Sequence, residues 1–362
     1  MFFAGSVRRM TTSLAARAAF IARTTRVPSQ PIRVPPGFKL RSVLMLATPQ
    51  NLSMSIEAAI SLHESEKLQV VVAGVERVVP HGASNGISEL WMDDVMRIEL
   101  PFLLSERDKR EPPRVSDGVN PVGAKVNWKH VDASLDLHVQ GTHVRMALAN
   151  TVFWTNLPST LFFFESGSAH SGQTLCRLLV TLPPLVPEPK GASVRDHWTP
   201  LVTDAPLLVT KCIGNLLKGL NGRSATLFLE QNTQLMSIAS KDVKVCVKVF
   251  GADGVPKRYE VIAGGGGWGA KADLLALSPE AQLSVGDRIK FYMIPPGDMD
   301  GTVVEPVRDQ IRFECVADAT TYGETDVATR TDDNLFGCGS ERGFVAAGVN
   351  HKIPGDSLSM SF

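Results

Sequence analysis

Residues 243–250 alternate side-chain character, with Val243, Val245, Val247 and Val249 set against Lys244, Cys246 and Lys248. A period of two belongs to a strand with one buried and one solvated face. Residues 251–254 supply Gly-Ala-Asp-Gly turn chemistry, and Arg-Tyr-Glu-Val-Ile at 258–262 returns, so a β-hairpin is expected here. The second arm runs into Gly264, Gly265, Gly266, Gly267, Trp268, Gly269, Ala270 and Lys271. Consecutive glycines reach backbone conformations that other residues resist, and Trp268 beside Lys271 puts an aromatic surface and a cation in one loop. Residues 285–292 then read as a further strand. This stretch predicts a sheet with a binding loop, whose candidate ligand-binding residues are Gly264, Gly265, Gly266, Gly267, Trp268, Gly269 and Lys271.

The loop falls short of a phosphate-loop motif. Gly264 and Gly269 fit the spacing, but Ala270 stands where lysine is needed and Ala272 where the magnesium-binding hydroxyl belongs. Backbone N–H groups of a Gly-rich turn can still cradle an anion. The alternative is a loop folded round Trp268 as its own hydrophobic plug.

Bulk properties exclude several classes. A chain of 362 residues suggests two domains. It buries enough surface, roughly three-quarters of what the unfolded chain exposes, to need no disulfide or metal. With 44% hydrophobic and 20% charged residues and a net charge of zero, it lacks the basic excess of a nucleic-acid binder. Cys176, Cys212, Cys246, Cys315 and Cys338 contain no Cys-x-x-Cys pair, so neither a disulfide framework nor a zinc site is expected. The histidines lie apart, and His63-Glu64 lacks a second histidine. Residues 331–334, Thr-Asp-Asp-Asn, lack the register of a calcium loop. No metal is expected and no cofactor is assigned. No run of about 18 apolar residues suggests a transmembrane segment.

The amino terminus reads as an address. No acidic residue precedes Glu57, whereas Arg8, Arg9, Arg17, Arg23, Arg26, Arg33, Lys39 and Arg41 do. On a helical wheel Phe3, Val7, Met10, Leu14 and Ile21 share one side and Arg8, Arg9, Arg23 and Arg26 the other, with Arg17 at the boundary and Phe20 off the pattern. An amphipathic, Arg-rich, acid-free terminus is the signature of a mitochondrial transit peptide. Prolines at 28–36 end the helix. Residues 1–37 are therefore expected to be a transit peptide and Pro-rich linker, cleaved between Arg23 and Val34, with the mature chain in the mitochondrial matrix.

Within the mature chain, residues 42–47 and 68–73 read as strands around a helix at 54–66, one right-handed βαβ unit. The loop at 80–86 follows at the edge where such sheets bind ligands, but lacks a Gly-x-Gly-x-x-Gly pattern. Residues 124–148 turn to β, with a hairpin turn at 140–143. The loop from Ser166 to Ser171 holds hydroxyls and His170, without the Gly-x-Ser-x-Gly elbow of a serine nucleophile. Four prolines in residues 183–189 mark the boundary between an amino-terminal domain at 38–186 and a carboxy-terminal domain at 187–362.

Several segments resemble FIST-domain proteins, here of a fungal mitochondrial kind. LLVTKCIGNLLKGLNGRSA at 207–225 is similar to the opening of a FIST C domain. VGDRIKFYMIPPGD at 285–298 is similar to its closing strand. GGGGWGAKADLLALSP at 264–279 and ERGFVAAGVNHKIPGDSLSMSF at 341–362 extend the likeness, and the amino-terminal half resembles a FIST N domain more faintly. Where relatives carry Cys-x-Gly-Arg-Gly, this chain has Cys338-Gly-Ser-Glu-Arg-Gly343, with one residue more before Arg342. The resemblance implies a two-domain module that senses or binds small ligands, without an assigned catalytic centre. The expected fold is α+β: two domains, each a mixed β-sheet with helices packed on its outer face. The expected function is a mitochondrial small-molecule-binding or sensory module. Two alternatives stand beside it: a non-catalytic subunit or assembly factor of a mitochondrial complex, and an enzyme using Cys338 as a reactive thiol or the Ser166–Ser171 loop with His170.

Overall fold

The computed structural model describes residues 18–37, 39–80, 82–103, 133–151, 160–165, 175–196, 198–201, 205–238, 243–251, 256–264, 273–279, 281–294, 309–316 and 328–362. Strands account for 53% of it and helix for 11%. The expected α+β arrangement is therefore wrong. Sheets cover other sheets, and one closes on itself as a six-stranded barrel, so little apolar surface is left for helices to cover.

The first sheet runs Leu185–Val186, Ala18–Arg26, Gly86–Met92, Ser42–Ala47, Gln69–Gly74, Leu161–Phe164, with Arg330–Asp333 also on Ala18–Arg26. The expected βαβ unit lies here: Ser42–Ala47 and Gln69–Gly74 are parallel neighbours joined through helix Leu52–Glu66. Every residue of both strands is buried. On one face Val43, Met45, Val70 and Val72 pack with Trp91 and the helix residues Leu52, Ala59 and Leu62. On the other, Leu44, Leu46, Val71 and Ala73 meet two further sheets.

The second sheet runs Val349–His351, Phe344–Ala346, Thr142–Ala147, Ser134–Val139, Leu175–Thr181, Arg97–Leu103. Gln140 and Gly141 both have positive φ (45° and 84°), as a two-residue hairpin turn with the sheet's twist needs. The third sheet runs Ser193–Arg195, Ser357–Ser361, Gln310–Cys315, Leu335–Ser340, Arg77–Val78. These three sheets share one core that reaches from Ala22 to Met360 and includes Leu137, Leu178, Phe313, Phe336 and Phe344.

The barrel is a separate core. Leu207–Ile213, Leu216–Leu220, Leu275–Leu277, Pro256–Gly264, Lys244–Phe250 and Arg288–Ile294 pair antiparallel in that order, and the last closes on the first. Val209, Leu217, Leu220, Val247, Val249, Ile289 and Phe291 fill its interior. The expected hairpin at 243–262 forms two of its walls. Its two short helices, Ala225–Glu230 and Thr233–Met236, leave the strands as the main structure.

One boundary moves. Residues 18–26 are not part of an amphipathic helix: Ala18–Arg26 is a strand with seven residues in register with Gly86–Met92. Ala22, Thr24 and Arg26 are 1, 0 and 9% exposed, and Arg23 pairs with Glu89 at 2.7 Å. Cleavage between Arg23 and Val34 would cut this strand from the sheet. Among the described residues, one core draws on Ala22 to Leu185 and on Ile311 to Met360, and the barrel core on Leu201 to Met293.

Candidate anion-binding groove

The Gly-rich loop largely escapes description. Gly264 ends strand Pro256–Gly264 with φ of 150°, and a Cβ there would lie 2.5 Å from Leu275 Cδ2 and 2.7 Å from the Leu274 carbonyl oxygen. The neighbouring strand thus accounts for this glycine. Gly265, Gly266, Gly267, Trp268, Gly269 and Lys271 lie outside the described residues, as does the Ser166–Ser171 loop with His170. The loop at 80–86 is tied down locally: Asn51 donates to Asn85 Oδ1 at 2.8 Å, Gln50 to the Ser84 carbonyl at 2.6 Å, and Gly86 N–H to Thr48 Oγ1 at 3.0 Å.

Cys338 is a core residue. It is 1% exposed within Leu335–Ser340, with Sγ 3.3 Å from Met146 Sδ. Burial, followed by the Glu76 and Glu314 charges, pushes its thiol well above the ordinary range, so it stays protonated and does not suit a nucleophile. Arg342, four residues further on, donates to the Leu148 carbonyl.

That same turn leads to a groove. Glu76 accepts from the Ser340 hydroxyl at 2.9 Å and the Glu341 N–H at 2.5 Å, fixing the bend before Arg342. Gly343 has φ of 75°, and a Cβ there would lie 1.9 Å from the His351 carbonyl oxygen, so only glycine lets the turn lie against strand Val349–His351. Beside it, on the outer face of the second sheet, a groove of about 280 Å³ is lined by Ser134, Arg145, Arg342, Gly343, Asn350 and Lys352, with Ala133, Ala147, Phe344 and Val345. Sheet register explains the grouping. Asp136 stands opposite Arg145, Arg145 opposite Val345, and Val345 opposite Asn350, one row across four strands. Ser134 and Ala147, two residues along, begin the next row. Side chains alternate faces along a strand, so the inward Leu135, Val144, Met146 and Phe344 leave this polar set outside.

Three lining side chains are cationic and none is a carboxylate. Asp136, opposite Arg145, is 0% exposed and accepts from Arg145 Nε at 2.7 Å, His143 Nε2 at 2.9 Å and Arg177 Nε at 2.5 Å. Burial pushes its carboxyl up, but the donors from Arg177, Arg145 and His143 outweigh burial and hold it below the usual carboxylate range. One anion thus orients two guanidinium groups, and Arg145 lies between it and the groove.

A second polar cluster joins barrel to body. Arg258, projecting from the barrel wall, donates to Asp356 Oδ2 at 2.8 Å and His351 Nδ1 at 2.8 Å, and also pairs with Asp196. Its guanidinium lies 4.3 Å from the Trp198 ring centroid. Lys248, opposite Arg258 on the neighbouring strand, reaches Asp196 at 3.7 Å and the Tyr292 ring at 4.5 Å. Because arginine only donates, His351 Nδ1 is the acceptor in its contact with Arg258. Cys246 is buried at this junction with Trp198, Ile294 and Ile353, and burial first of all raises its thiol to about 12. The polar members of the hairpin alternation, read as a solvated face, are therefore the docking face of the barrel.

Searches against known protein families, curated proteins and solved structures found no match. Among the described residues, no helix is long and apolar enough to cross a membrane, and no group of three or more His, Cys, Asp or Glu is placed to hold a metal ion.

Proposed function

We propose that this chain is a non-catalytic module that binds a small organic anion in the groove formed by Arg145, Arg342 and Lys352. The supporting observation is a lining that holds three cations and no carboxylate, with Ser134 and Asn350 adding neutral hydrogen-bonding groups. Guanidinium groups donate in forks that match carboxylate and phosphate oxygens. At about 280 Å³ the groove lies near the lower limit of small-molecule sites, roughly 300 Å³. It therefore suits a metabolite of few carbons bearing a phosphate or two carboxylates. This reading keeps the ligand-binding, sensory role implied by the FIST resemblance and moves the site away from the Gly-rich loop.

The mitochondrial address belongs to the same proposal, confined to residues before Ala18, where Arg8, Arg9 and Arg17 stand without an acidic residue. Thermal-shift measurements with inorganic phosphate, glycerol phosphate and succinate test the ligand. A ligand at 100 times its Kd stabilises the fold by about 2.7 kcal/mol. A rise with phosphate esters or dicarboxylates, absent with uncharged glycerol, is expected. No rise with any anion overturns the reading.

A further inference from the structure

Strand Val349–His351 serves both polar clusters. His351 points inward, 3% exposed, stacked on Phe344 with centroids 4.8 Å apart and accepting from Arg258 of the barrel. Its neighbours Asn350 and Lys352 point the other way, into the groove. Gly343 at the groove lies against the His351 backbone so closely that no Cβ fits between them. A displacement of His351 toward or away from Arg258 must therefore move groove residues, because three adjacent residues cannot shift independently.

The junction is also incompletely satisfied. Arg258 Nε, Trp198 Nε1 and Asp356 Oδ1 are buried without a hydrogen-bond partner among the described residues. Unpaired buried polar atoms are expensive, so the docked barrel is less stable than its ion pairs alone suggest. An equilibrium held by partly opposed contacts is one a ligand can bias.

We infer that anion binding in the groove and docking of the barrel on the body are coupled through Val349–His351, so that an occupied groove tightens the Arg258 junction. This rests on the groove reading. The barrel, which has its own core, then reports occupancy of a site whose lining residues all lie on the body. Linkage makes the effect reciprocal: a loosened junction weakens the anion by the same factor by which the anion strengthens the junction.

The test uses the full chain and inorganic phosphate at fixed ionic strength, with chloride as control. Calorimetry reads affinity, and hydrogen exchange reads amides of barrel strands Lys244–Phe250 and Pro256–Gly264. Phosphate is expected to slow exchange in both strands. Arg258→Lys and the milder Asp196→Asn, whose side chain is 26% exposed at the rim of the junction, are expected to weaken phosphate at least about fivefold, the low end of measured couplings between sites. Asp196→Asn keeps the test open should Arg258→Lys fail to fold. Phosphate that binds wild type and Asp196→Asn equally, with barrel exchange unchanged, overturns the coupling and leaves the groove reading standing. Phosphate that does not bind wild type removes both.

Discussion

The barrel and the body solve the same problem in opposite ways. The barrel is continuous in sequence, pairs its strands antiparallel and buries its apolar faces against themselves, with its last strand closing on its first. The body is assembled from both ends of the chain: Ala18–Arg26 pairs with Gly86–Met92 on one side and with Arg330–Asp333 on the other. Its core needs residues more than 300 positions apart, as in the hydrogen bond from Thr24 to the Leu335 carbonyl. The two units should therefore fail differently, and the groove, built on the body, should fail with the body.

The largest effect comes from the amino terminus. Starting the chain at Phe38 removes a strand from inside a sheet, and the body's cooperative melting transition should be lost. Starting at Ala18 should leave the melting temperature unchanged. Calorimetric scans of the two truncated chains check this; equal melting would show that the first strand is dispensable and the comparison wrong.

Next is the junction. Asp356→Asn removes one of the two carboxylates paired with Arg258, whose side chain is 5% exposed, and leaves Asp196 as the other. Breaking a buried pair costs about 3–5 kcal/mol. Urea unfolding should show that loss, and separate transitions for barrel and body would sharpen the distinction between them.

Asp136→Asn should cost less, about 1 kcal/mol, because its arginine partners are 35 and 41% exposed and solvent screens them. The pH dependence has a definite sign. Asp136 has a lowered carboxyl pKa in the folded chain, so its contribution is present above the unfolded value near 3.9 and fades as pH falls through the folded value. Urea midpoints measured down the acid limb should converge for wild type and variant. A gap that persists below both values would mean that the charge is not the stabilising feature.

Smallest is the thiol effect. Cys315 and Cys246 have thiols raised to about 12, chiefly by burial, and burial likewise pushes the Cys338 thiol well above its ordinary range. All three should resist a thiol reagent at neutral pH until the chain unfolds. Rapid labelling of Cys338 in native protein would reopen the reactive-thiol reading.

What the sequence disclosed was local. The alternation at 243–250, the βαβ unit around Leu52–Glu66 and the turn at Gln140 and Gly141 all depend on residues a few positions apart. What it hid was pairing at long range. Residues 18–26 look amphipathic on a wheel because arginines recur at 23 and 26, yet Thr24 and Thr25 suit a strand once Gly86–Met92 is beside them. Barrel closure requires Leu207 to find Ile289, which no local period specifies. The groove was hidden for the same reason: Ser134, Arg145, Arg342 and Asn350 are each the polar member of an ordinary strand or turn, and only register sets them side by side. Arg258 was visible as one polar residue of a hairpin arm, but its burial depends on a partner surface nearly 100 residues away.

Calorimetric titration of the full chain with glycerol phosphate, in wild type and Arg145→Glu, addresses the groove most directly. Arg145 is 41% exposed, so its reversal can be checked for folding by a retained cooperative transition of the body, on which it lies. The account predicts saturable binding to wild type that falls with added salt and is abolished in the variant. Binding of equal strength to both chains would place the ligand elsewhere and contradict it.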